Sequence, residues 1–162
     1  MKRFSIILAF LSIVGPLLSQ KNIVIDTTLQ RRILEEHNRE RALVDVPNLG
    51  WSKTLEKFAK EWALVLAQDE DIYHRDQSLY GENISYFYSN DLVLGVTLWN
   101  DEKSVFVYEK IGKGFAKYGH YSQVIWNTTT EVGCACAQGK SGAYYFVCNY
   151  NPPGNVTGQK PY

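Results

Sequence analysis

The sequence predicts an α+β domain in which helices pack on the faces of an antiparallel sheet, and three observations predict it. Apolar residues recur at helical spacing in the first two thirds of the chain, most clearly at Leu55, Phe58, Ala59, Trp62, Ala63 and Leu66. The last third carries β-prone runs over roughly 131–138 and 143–150, separated by Gln138-Gly139-Lys140-Ser141-Gly142, which reads as a hairpin turn. A length of 162 residues, with no repeat, linker or low-complexity stretch, suits one sizeable core.

The chain opens with Met1-Lys2-Arg3, the apolar run Phe4–Val14, then Gly15-Pro16 and Ser19. These are the charged, hydrophobic and cleavage regions of a secretory signal, so residues 1–19 are expected to be removed and 20–162 to form a single domain. An uncleaved anchor is the alternative; the run is too short to span a bilayer and is followed by a helix-breaking pair. Loss of the leader leaves fifteen basic residues against seventeen acidic ones, a charge of about −2. That balance excludes the basic field nucleic-acid binding requires, and no second long apolar segment suggests a membrane span. An exported, extracellular protein is the expectation.

After an extended lead at Ile23, Val24 and Ile25, Asp26 or Thr27 is placed to cap a helix carrying Leu29, Ile33, Leu34 and Ala42, which should end before Pro47. Pro47-Asn48-Leu49-Gly50 reads as a turn, and Ser52 as the cap of the second helix. Asp69-Glu70-Asp71 reads as a solvated helix end, because it lacks the spaced ligands and glycine of a calcium loop. Gly81-Glu82-Asn83 reads as a turn. Asn90 or Asp91 then caps a third helix with Leu92, Val96 and Trp99 on one stripe, and Glu102, three residues past Trp99, falls on that inner face. Residues 103–118 are weakly patterned. Three strands follow, over 121–126, 131–138 and 143–150, and the tail Asn151–Tyr162, with three prolines and two glycines, reads as irregular surface chain.

Gly119-His120-Tyr121-Ser122-Gln123-Val124-Ile125-Trp126 is the segment the rest of the chain is arranged to meet. Its Val124, Ile125 and Trp126 are β-prone, so His120 is expected at the mouth of a strand. His74, Glu82 and Glu102 complete a constellation of two histidines and two glutamates. Two imidazoles can hold Zn²⁺ or a similar divalent ion, while carboxylates that accept the other ring N–H fix each tautomer. The competing reading is a satisfied polar network without metal. His37, on a helix beside Asn38 and Arg41, reads as a packing residue. Cys134, Cys136 and Cys148 leave one thiol over; a turn centred near Lys140–Ser141 sets Cys148 opposite 133 or 134, so register favours Cys134–Cys148. A soft-metal role for the C-x-C pair lacks a second ligand pair. Three glycosylation sequons occur, at Asn83, Asn127 and Asn155, with Asn83 the least accessible because it lies in a cleft-forming segment.

GHYSQVIW at 119–126 and YFVCNYNPPGN at 145–155 resemble the two signature motifs of the CAP superfamily, also called the SCP domain, which includes cysteine-rich secretory proteins, antigen-five proteins and class-one plant pathogenesis-related proteins. His37-Asn38 with Arg41, Leu49-Gly50-Trp51 and Gly81-Glu82-Asn83 agree in order. The resemblance implies a three-layer α-β-α sandwich whose cleft holds His74, Glu82, Glu102 and His120, and a Cys134–Cys148 bridge. Arg75 departs from the serine that commonly follows the first of those histidines, and only three of the usual six cysteines are present.

The expected function is a secreted binding module for a sterol, a fatty acid or an extracellular protein partner, with a divalent-metal-capable cleft in which His74 and His120 are the metal ligands. Tyr86, Phe87 and Tyr88, and the aromatics within 106–108, are candidates to line an apolar groove. The alternatives are a metal-dependent extracellular hydrolase such as a peptidase, for which the sequence offers neither HExxH nor GxSxG, and a structural or defence-interaction protein with a silent cleft. No cysteine nucleophile is credible, since Cys148 lies in a strand and Cys136 has no identifiable base.

Overall fold

A computed structural model describes residues 21–162; the predicted leader lies outside the described residues. The elements in chain order are β1 (Lys21–Ile23), α1 (Thr27–Leu43), β2 (Gly50–Trp51), α2 (Lys53–Asp69), β3 (Gly81–Phe87), α3 (Val93–Asp101), two single 3₁₀ turns (Glu102–Val105 and Phe115–Lys117), α4 (Gly119–Val124), β4 (Glu131–Gln138) and β5 (Tyr144–Asn151). The strands form one sheet in the order β1-β4-β5-β3, antiparallel throughout, with the two-residue β2 added parallel to the start of β4.

The sheet is covered on both faces, which is why the interior residues of β4 and β5 are buried at consecutive positions rather than at alternate ones. Cys134, Cys136, Phe146 and Tyr150 face α1, α3 and α4, meeting Ile33, Val96, Trp99 and Val124 in one core. Ala135, Ala137 and Val147 face α2, which meets them with Ala59, Ala63, Leu66 and Ala67. Small side chains on both sides bring this helix close. The approach is tightest at Gly133, where an added Cβ would lie 2.2 Å from the Glu56 backbone nitrogen.

The cap of α1 is as expected, with Asp26 accepting from the Leu29 N–H at 2.8 Å. Ser52 precedes α2 but makes no side-chain capping bond. The acidic triplet does end α2, through Glu70 in the left-handed conformation. The third helix starts at Val93, slightly later than expected, with the Asp91 carboxylate accepting from the Val93 N–H. The expected hairpin register is observed: Cys134 is the direct partner of Cys148 and is bonded to it, and Cys136 is a buried free thiol opposite Phe146.

Two expectations are overturned. Residues 119–124 form the helix α4, not the start of a strand over 121–126. The β-preference of Val124, Ile125 and Trp126 loses to what surrounds the segment. Glu102 takes the backbone N–H groups of His120 and Tyr121 at one end of α4, at 3.0 and 3.1 Å, while the Arg41 guanidinium takes the Val124 and Trp126 carbonyls at the other. Groups that a six-residue helix would leave unpaired are thus satisfied by side chains of other elements. Gly81-Glu82-Asn83 is the first part of β3 rather than a turn, in register with Tyr150, Asn149 and Cys148. Its glycine serves close approach instead, since a Cβ there would sit 2.2 Å from Gln123 Oε1 on α4.

Candidate functional site

The four histidine and glutamate residues singled out in the sequence come together as two pairs along one cleft. His120, the second residue of α4, donates from Nδ1 to Glu102 Oε1 at 2.6 Å, and the other oxygen of Glu102 accepts the His120 and Tyr121 backbone N–H groups. One carboxylate therefore fixes both the imidazole and the helix that carries it. The ring also stacks over Trp99, with centroids 6.1 Å apart and planes at 20°.

His74 lies in the connection between α2 and β3 and donates from Nδ1 to Glu82 Oε1 at 2.8 Å; the Arg75 backbone N–H shares that oxygen at 3.1 Å. The side chain is 67 % exposed, yet the segment around it is pinned to α2. Tyr73 meets the Trp62 ring edge-on, its carbonyl accepts from Trp62 Nε1, and the Arg75 guanidinium sits 3.9 Å from the Phe58 ring centroid. Arg75 thus holds the histidine loop on the helix. The bond to Glu82 raises the His74 pKa against the opposing effect of partial burial.

Each imidazole spends Nδ1 on its glutamate, so Nε2 is the free ligand atom of both, with no hydrogen bond to another described residue. The cleft they share encloses about 320 Å³, walled by Glu82, Phe115, Gln123 and Asn155. A smaller hollow of about 240 Å³, lined by Ile72, Tyr73 and Ile84, lies against the same two histidines. Glu82 Oε2 is buried and has no hydrogen-bond partner. Among the described residues no three histidine, cysteine or carboxylate side chains converge within reach of one ion. The donors the cleft offers are therefore the two imidazole Nε2 atoms.

Behind the cleft, Tyr150 hydroxyl bonds His37 Nε2 at 2.9 Å and accepts from Asn83 Nδ2 at 3.2 Å, and Asn83 also donates to the His120 carbonyl at 3.1 Å. The Ile33 carbonyl can only accept, so His37 carries its proton on Nδ1, 2.8 Å away, and Nε2 of the neutral ring accepts from the Tyr150 hydroxyl. Burial lowers the His37 pKa to about 4, so the ring is neutral and structural, as the sequence suggested.

Phe115, Gln123 and Asn155 line the cleft but were not among the expected site residues. Gln123 Oε1 accepts from the Gly154 N–H at 2.9 Å, and Asn155, with φ of 56°, donates to the Gly119 carbonyl and accepts from Ser122. These contacts fold the tail back as a wall of the site; Gly154-Asn155 after two prolines was the available signal. The two aromatic segments lie apart: Tyr86 and Tyr88 line a separate cavity beside Tyr145, while the second segment packs inward. Phe106 packs edge-on against Tyr118 and Tyr121, and Tyr108 stacks on Tyr162.

Residues 34–150 match the model of the cysteine-rich secretory protein family, CAP. The chain belongs to the CAP family. Pathogenesis-related protein 1C of Nicotiana tabacum is 36 % identical over 136 residues, covering 82 % of this chain and 80 % of the relative. Pathogenesis-related protein 1 of Arabidopsis thaliana is 34 % identical over 165 residues, covering 99 % of this chain and 96 % of that one. Among solved structures, NaASP2 with Zn²⁺ superposes with a TM-score of 0.71 at 23 % identity, covering 85 % and 86 % of the two chains, which establishes that the CAP fold is shared. In this CAP domain the Arg75 side chain, a departure from the serine that resemblance led us to expect, is a fixture of the His74 loop.

Proposed function

We propose that this CAP domain is a secreted, non-catalytic binding module whose cleft takes a divalent cation such as Zn²⁺ between His74 and His120 and presents it to an extracellular ligand. The carrying observation is the pairing of each Nδ1 with a glutamate, which leaves both Nε2 atoms as the free donors in one cleft. The bound ion would supply Lewis acidity and open coordination positions; the chain supplies the fixed tautomers of the two imidazoles. The secretory family and the apolar leader support export.

Binding is favoured over hydrolysis by the state of the glutamates. Glu102 already accepts three hydrogen bonds, and the free oxygen of Glu82 is shielded from solvent, so neither is placed to take a proton from water. A sterol or fatty acyl ligand finds its support in the exposed Val105, Val107 and Tyr108 on the connection that leads to the cleft. Calorimetric titration of the mature protein with Zn²⁺ tests the reading. Saturable binding that disappears in the His74→Ala/His120→Ala double variant is expected; absent binding, or equal binding by both proteins, would sink the metal-cleft assignment.

A further inference from the structure

Another cavity, of about 440 Å³, lies outside the histidine cleft, at the start of the α2–β3 connection. Its walls are Tyr86 near the end of the edge strand β3 and Tyr88 just past it, Tyr145 from β5, and Glu70 and Asp71 immediately after α2, with Ile72 completing an apolar corner. Tyr86 is the hub of the aromatic wall. Its centroid is 6.1 Å from Tyr88, with the rings edge to face at 71°, and 6.1 Å from Tyr145, with the rings tilted by 32°.

The acidic side is built rather than incidental. Glu70 takes the Ser141 backbone N–H at 2.6 Å, which ties the α2 terminus to the hairpin turn and holds the carboxyl below its usual pKa. Asp71 Oδ1 accepts from the Ile72 N–H at 2.8 Å. Neither carboxylate forms an ion pair with a described residue, and Lys140 is the one cation whose charge bears on Glu70. Tyr145 supplies the independent observation. It is 3 % exposed, lines the cavity, and its hydroxyl makes no hydrogen bond to a described residue.

Tyrosine rings on one side and two unpaired carboxylates on the other describe a host for an organic cation. The ring faces attract positive charge, the carboxylates repel anions, and the apolar corner favours a weakly hydrated, methylated head over a small hard ion. We propose that this cavity binds a quaternary ammonium group, with Tyr86, Tyr88 and Tyr145 as the aromatic cage and Glu70 and Asp71 as the counter-charge. The group can come as a free choline-type molecule or as the choline headgroup of a lipid.

The test is NMR titration of the mature protein with tetramethylammonium, choline and 3,3-dimethyl-1-butanol, the uncharged isostere of choline, followed by co-sedimentation with phosphatidylcholine vesicles. Saturable shifts in Tyr86, Tyr88 and Tyr145 are expected with both cations, weakened about tenfold or more for the isostere and in Tyr88→Leu and Asp71→Asn. Vesicle binding lost in the same variants assigns the headgroup as source, and cation binding without vesicle binding assigns the free molecule. The His74→Ala/His120→Ala variant should bind the cations like wild type, so failure of the metal-cleft reading leaves this one intact. Equal affinity for the isostere, unchanged binding by Tyr88→Leu, or no saturable response to either cation would overturn the proposal.

Discussion

Replacement of Arg41 by methionine should be among the most damaging single changes in this domain. The side chain is fully buried and its guanidinium donates to four backbone carbonyls: Pro47 at 2.6 Å, Val124 at 2.8 Å, and Trp126 and Thr129 at 2.9 Å. It has no carboxylate partner among the described residues; burial lowers its pKa to about 10, which keeps it charged at neutral pH. Methionine fills most of the volume, so the loss is electrostatic. Each carbonyl left unpaired costs about 1–3 kcal/mol. The Trp126 carbonyl retains the Thr129 N–H, and relief from burying a charge offsets part of the rest, giving a net loss of about 4 kcal/mol. Urea unfolding followed by tryptophan fluorescence should show that loss at unchanged m, with the thermal midpoint lowered by about 10 °C or more. Lysine, which presents a point charge instead of a fork, should fall between the two. A methionine variant within about 1 kcal/mol of wild type would refute the claim that Arg41 holds α4 against its own β-preference.

Three further outcomes follow from protonation and close packing. His37 is lowered to about 4 in the folded protein against an ordinary value near 6.5, so the unfolded chain binds a proton that the fold refuses; stability should fall by about 3 kcal/mol between pH 6.5 and 4, and His37→Gln should remove that part of the pH dependence in urea titrations. His74 has the opposite sign: its raised pKa gives stability that is present at low pH and lost as pH rises through the elevated value, and NMR should place its midpoint above that of a free imidazole. Gly133→Ala drives a methyl into the α2 backbone and should cost about 3 kcal/mol, whereas Gly81→Ala meets the movable end of Gln123 and should cost about 1 kcal/mol, with the Gly154 contact loosened. Comparable losses for the two alanines, read from unfolding midpoints, would contradict this packing account.

Periodicity made α2 legible, because it buries one regular face, and β-prone runs about a glycine-containing turn made the β4–β5 hairpin legible, its register following from the turn. The Cys134–Cys148 bridge came with that register. The tetrad was legible as residues, since the chain has only three histidines and Glu82 and Glu102 stand in a glycine-marked segment and at the end of an amphipathic helix. What escaped was everything fixed by distant partners. The segment 119–126 reads as strand on local preference, and only Glu102 and Arg41, 18 and 83 residues from their acceptor or donor groups, make it helical. The Gly81-Glu82-Asn83 segment reads as a turn because glycine ordinarily marks one, while here the missing Cβ admits Gln123. The tail's place in the cleft wall likewise rests on Gln123 and Ser122, which no local pattern reveals.

The two halves of the cleft are held by different means, and this sets how each responds to change. His120 is anchored from within: its ring on the buried Trp99, its carbonyl on Asn83, its helix between Glu102 and Arg41. His74 is anchored from outside, through a loop fastened by Tyr73 and Arg75 to the aromatic residues Phe58 and Trp62 of α2. Damage to the first anchor reaches the core and is paid in stability. Damage to the second leaves the core untouched and frees one imidazole. Arg75 is therefore the position at which cleft affinity can vary without loss of fold: Arg75→Ser should leave the unfolding midpoint within about 1 °C while weakening Zn²⁺ binding in the calorimetric assay. A variant that unfolds early would show that this contact also supports the core, and one that binds Zn²⁺ as wild type does would show that the loop does not depend on it.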